Sequence, residues 1–98
     1  MRYFSTRGEG PVTLDEALVN GIAGDGGLYM PESLPTFEVA DFDNAATISE
    51  VAHVLLQPFF EGSRLKNELD AILAETFSFP LPAVPLAVEK GNVSLLEL

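Results

Sequence analysis

Asp25-Gly26-Gly27-Leu28-Tyr29-Met30-Pro31-Glu32 is the stretch on which the fold of this chain turns. Two adjacent glycines behind an acid let the backbone take positive φ or approach another group closely. Leu28, Tyr29 and Met30 then make a short apolar strand, and Pro31, with no N–H to give a sheet, ends it. Such a run holds a loop in one shape. Working outward, Arg2-Tyr3-Phe4-Ser5-Thr6 has the pattern of a first short strand, broken by Gly8 and Gly10-Pro11. Gly24-Asp25-Gly26-Gly27 lacks the spacing of a dinucleotide fingerprint, and a strand follows it where a helix N-terminus would be needed. It reads as a tight turn feeding a strand.

Three helical segments surround these strands. Thr13-Leu14-Asp15-Glu16 is a capping-box pattern, and Leu14, Ala17, Leu18 and Ile22 follow at helical spacing up to a stop at Gly21. Thr47-Ile48-Ser49-Glu50 repeats the box. Ile48, Val51, Ala52, Leu55 and Leu56 give that second helix a core stripe, and Pro58 disturbs its last turn. A third helix starts from Ser63 as N-cap, with Leu65, Leu69, Ile72, Leu73 and Phe77 on its buried side. Phe79–Pro85, with three prolines in six residues, must be extended, and its apolar character lays it against a surface. Leu86–Glu89 and Val93–Leu96 then pair as a hairpin about Gly91 and Asn92. The expected class is α+β: three helices packed on a small mixed or antiparallel sheet, made of the N-terminal strand, the Leu28–Met30 strand and the C-terminal hairpin.

Ninety-eight residues fit one domain, 1–98. A hydrophobic fraction of 47% and a mean hydropathy of +0.22 argue against disorder. They leave two readings: an apolar face covered by something else, or a well-filled core with surface leucines. Fifteen acids against five bases give a net charge of −10 and a pI near 4.2. A surface of that sign repels phosphate backbones and anionic lipid, which argues against nucleic acid and membrane as partners. With no cysteine there is no disulfide and no thiolate metal site, and a cytoplasmic setting fits. No secretory signal opens the chain, and no apolar run is long enough to span a bilayer.

Ser5-Thr6-Arg7-Gly8, the Asp25–Glu32 run and the closing Leu95-Leu96-Glu97-Leu98, in that order and spacing, resemble the N-terminal region of threonine synthase. The second helix, ending Leu55-Leu56-Gln57-Pro58-Phe59, is similar too, so the likeness covers essentially the whole chain. The resemblance implies a pyridoxal phosphate-dependent parent lyase of threonine biosynthesis. That enzyme converts O-phospho-L-homoserine and water to L-threonine and phosphate, with the cofactor as electron sink. It further implies that the cofactor lysine lies just past Leu98, and that the 98 residues alone are inactive and bind no cofactor. Their partner would be the catalytic domains of the same polypeptide, and the uncovered face of the isolated piece could self-associate through Phe79–Pro85 and the last strand. A threonine-synthase-like phospholyase is the sibling reading, and a stand-alone acidic protein-interaction domain is the reading from another class. A reading frame running on past Leu98 into a lysine-bearing segment separates the enzyme from the module.

Few side chains of this chain suit that chemistry. A cofactor lysine must be partly desolvated, whereas Lys66 falls on the polar side of the third helix and Lys90 at a hairpin tip. His53, the single histidine, has no second histidine or cysteine for a metal and no adjacent nucleophile, so it reads as a helix-boundary residue. Asp15-Glu16 suits a helix first turn, and Asp41 and Asp43 read as solvated loop acids. Beside the reading of a structural turn, the resemblance allows a border role. Ser5, Thr6, Arg7, Asp25, Gly26 and Gly27 are the candidates for the rim of the active-site mouth in the intact enzyme. The Arg7 guanidinium suits a substrate phosphate or carboxylate, against the alternative of a structural salt bridge to Asp25.

Overall fold

The computed structural model describes residues 1–98. Strand β1 (Tyr3–Ser5) pairs antiparallel with β2 (Tyr29–Pro31), Phe4 opposite Met30. Val12 returns to the same strand, its N–H and carbonyl each 2.9 Å from Tyr3, which closes residues 5–11 into a loop. Helix α1 (Leu14–Asn20) opens on the expected box: Glu16 N–H donates to Thr13 Oγ1, and Glu16 Oε2 accepts the Thr13 N–H at 2.8 Å. Helix α2 (Ile48–Leu56) opens likewise from Thr47. There the Glu50 carboxylate takes the N–H groups of Ala46 and Thr47, which hold it below the usual carboxylate range. Pro58 turns the end of α2 into a 3-10 turn at Gln57–Phe60.

The third helix begins later than Ser63. A 3-10 turn at Lys66–Glu68 precedes α3 (Leu69–Thr76), and Ser63 caps neither. Its hydroxyl is engaged elsewhere, donating to Asp15 Oδ1 at 2.5 Å while accepting the Leu65 N–H. Asp15 also accepts the Arg64 N–H, so this acid, in the first turn of α1 as expected, ties that helix to the segment before α3 as well. The core lies where α2 meets α3: Ala52, Leu69 and Leu73 are buried, with Leu56, Phe60 and Phe77 packed on them. Only part of the predicted stripes is buried. On α1 Ala17 is enclosed while Leu18 is largely exposed, and Ile22, past the end of the helix, is exposed too.

The strands form two separate two-stranded sheets instead of one, each antiparallel. The second joins β3 (Ala83–Leu86) to β4 (Val93–Leu96), with Val84 opposite Leu95 and Leu86 opposite Val93. Its first strand thus starts inside the proline-rich stretch, three residues earlier than predicted. All eight strand residues are exposed, and in Phe79–Pro85 only Leu81 is half-buried, so this stretch does not lie on the helices as expected. The hairpin stands off the body. A radius of gyration of 17.3 Å records this, against about 13 Å for a compact chain of this length. No helix is long and apolar enough to cross a membrane.

Candidate functional site

The two motifs singled out in the sequence meet. The loop after β1 and the loop before β2 form a clasp centred on the Asp25 carboxylate. Ser5 Oγ donates to Asp25 Oδ1 at 2.6 Å, the Gly27 N–H reaches the same oxygen at 2.9 Å, and the Glu9 N–H reaches Oδ2 at 3.1 Å. The Ser5 hydroxyl foremost, then these backbone donors and the nearby Arg7 charge, hold the Asp25 carboxyl below the usual range against partial desolvation. Thr6 fastens the other side: its N–H donates to the Leu28 carbonyl, and its hydroxyl oxygen accepts the Leu28 N–H at 3.0 Å.

Both glycines are required by this geometry. Gly26 has φ 81°, a left-handed conformation, and a Cβ on it would stand 3.1 Å from Arg7 Nη1. Gly27 is buried under Ser5, and a Cβ there would overlap Ser5 Oγ. The run is therefore a seat for the first loop.

Arg7 does not form the anticipated salt bridge to the Asp25 carboxylate. Ser5, Gly27 and Glu9 donate to the carboxylate, and the guanidinium Nη1 donates instead to the Asp25 backbone carbonyl at 3.0 Å. This leaves its other donors without a protein partner, on an exposed side chain. All six predicted border residues thus belong to one constellation. Glu9 joins it unpredicted, its Oε2 accepting the Asp25 N–H at 2.7 Å. The available signal was an acid two residues past Arg7 on the same turn.

The remaining candidates lie apart from the clasp. Lys66 Nζ is paired with Glu61 Oε1 at 2.7 Å and open to water, and Lys90 is exposed in the hairpin turn. His53 is half-exposed on α2, its Nδ1 2.6 Å from Asp70 Oδ1 of α3 but not aligned for a hydrogen bond. The pair borders a groove of about 320 Å³ with Ser49, Glu50 and Leu73. Asp41 caps the 3-10 turn Val39–Phe42 by accepting the Glu38 N–H. No three His, Asp or Glu side chains converge to hold a metal.

The chain belongs to the threonine synthase N-terminal family, described as "Threonine synthase N terminus", which matches residues 2–77. Among individual proteins it is 40% identical to the threonine synthase of Pseudomonas aeruginosa, an alignment covering 100% of this chain and 22% of that protein. It is 42% identical to human threonine synthase-like 2 over 80% of this chain and 17% of that protein. To the threonine synthase of Methylobacillus glycogenes it is 53% identical over 38% of this chain and 8% of that protein. The chain thus spans about a fifth of the length of the first of these relatives. No solved structure matches it.

Proposed function

We propose that these residues are the non-catalytic N-terminal domain of a cytoplasmic threonine synthase, a pyridoxal phosphate-dependent lyase that converts O-phospho-L-homoserine and water to L-threonine and phosphate. The observation that carries the reading is the likeness along the whole chain to the Pseudomonas threonine synthase. The residues present do not fit the cofactor. A seat for it needs a lysine whose amine is partly desolvated; Lys66 is solvated and ion-paired, and Lys90 is exposed. The cofactor chemistry accordingly belongs to other parts of the enzyme, and this chain contributes by packing and by shaping an approach.

Within that role the Ser5–Arg7 and Asp25–Gly27 clasp borders the mouth of the active site. Asp25 and Gly27 lock the first loop, and Arg7, braced on the Asp25 carbonyl, offers its remaining donors to a phosphate or carboxylate entering from solvent. In the full-length enzyme, Arg7→Ala should raise KM for O-phosphohomoserine about tenfold or more with kcat little changed, as loss of a charge-assisted hydrogen bond requires. If only the melting temperature falls while KM and kcat stand, the substrate role of Arg7 fails.

A further inference from the structure

The β3–β4 hairpin has the surface of a buried element, yet its own domain leaves it bare. Val84, Leu86, Val93 and Leu95 are cross-strand partners and therefore share one face, each 37–51% exposed. Leu96, on the opposite face, is 57% exposed. A two-stranded ribbon with an apolar face has little stability of its own. Composition separates it from the rest as well. Residues 1–77 hold thirteen acids and four bases, while residues 78–98 hold two acids and one lysine. The family match stops at 77, but the Pseudomonas enzyme aligns through the hairpin and is more than four times as long.

The two edges of the hairpin differ. Glu97 N–H donates to the Pro82 carbonyl, which makes 82–97, 84–95 and 86–93 the hydrogen-bonded pairs of the alternating ladder. Ser94 and Leu96 consequently present their backbone N–H and carbonyl groups outward from β4. On β3 the equivalent outward positions are Ala83 and Pro85, and Pro85 has no N–H to offer. Proline closes one edge of the hairpin; the other is open to a further strand.

We infer that β4 is the growing edge of a larger sheet, and that its occupant is a strand of the catalytic body carried by the same polypeptide. This rests on the reading of the protein as a threonine synthase domain. The family boundary near residue 77 then divides the 98 residues into an acidic body and the first hairpin of the next domain. A second copy of the chain is the less suitable occupant, because it would bring a second body of thirteen acids and four bases against the first.

The test is residue-resolved hydrogen exchange on the full-length protein, with turnover of O-phosphohomoserine measured on the same sample. Amides of Ser94 and Leu96 are expected to exchange as slowly as those of Val93 and Leu95, which are bonded inside the hairpin. Exchange of Ser94 and Leu96 about a hundredfold faster than that of Val93 and Leu95 overturns the inference even if turnover is intact. Protection without turnover upholds the added strand and removes the enzymatic reading instead. Protection that appears only as concentration rises, with dimer formation in sedimentation, assigns the edge to a second copy and overturns the stated occupant.

Discussion

Gly27→Ala probes the clasp most directly. Gly27 does not have positive φ, so alanine suits its backbone and the whole effect must come from the added methyl. That methyl would overlap Ser5 Oγ and stand 3.0 Å from both Asp25 Oδ1 and Thr6 Oγ1. The least disruptive relief turns the Ser5 side chain away. It breaks the 2.6 Å bond to Asp25 and the 3.0 Å bond from the Arg7 N–H to Ser5 Oγ. Overpacking of this kind costs about 1–3 kcal/mol. For a domain of this size that lowers Tm by roughly 5–20 °C in a circular-dichroism melt. Repeating Gly27→Ala in a Ser5→Ala background removes the worst overlap, that with Oγ, and leaves the 3.0 Å approaches to Asp25 Oδ1 and Thr6 Oγ1. Its cost should then fall without vanishing, because those two oxygens still crowd the methyl. An equal cost in both backgrounds would refute Ser5 as the group that requires glycine at position 27.

Two further outcomes concern protons and the cofactor. Asp25, Asp15, Glu32 and Glu50 are held below the ordinary carboxylate range chiefly by the Ser5 hydroxyl, the Ser63 hydroxyl, the Arg2 guanidinium and the Ala46 N–H respectively. Their folded pKa values lie below the unfolded ones, so the unfolded chain binds more protons and stability rises with pH through that window. Tm should therefore hold steady down to about pH 5 and fall below about pH 4; a Tm that climbs on acidification would contradict these bonds. Incubating the 98-residue chain with pyridoxal phosphate and reducing with borohydride should leave Lys66 and Lys90 unlabelled by mass spectrometry. Stoichiometric labelling of one of them would show a primed amine that the geometry denies.

What could be read from the sequence was set by short-range physics. Thr13 with Glu16 and Thr47 with Glu50 lie three residues apart, so their reciprocal bonds depend on almost nothing else and both boxes formed. Ser63 carried an equally good local signal, but Asp15, forty-eight residues away, took its hydroxyl, and α3 opened at Leu69. Burial was the least legible property. Leu18 stands four residues from Leu14 at helical spacing, yet whether a stripe is covered depends on what packs against it. The six border residues were legible as two motifs, but the carboxylate that joins them was not. Asp25 takes its carboxylate bonds from Ser5, Gly27 and Glu9, residues spread over two loops, while Arg7 reaches the Asp25 backbone carbonyl. Pairing of His53 with Asp70 likewise needed α2 and α3 to be docked first.

Ser78–Pro82 has a mechanical consequence. The segment is anchored at one end by Phe77 in the helical core and at the other by the Glu97–Pro82 bond of the hairpin. Prolines at 80 and 82 stiffen it, and the backbone bends at Phe79, so the five residues form a stiff elbow. Such an elbow transmits displacement where a glycine-rich tether would absorb it. If β4 is held in a larger sheet, movement of that sheet would be passed through Phe77 to the helical core.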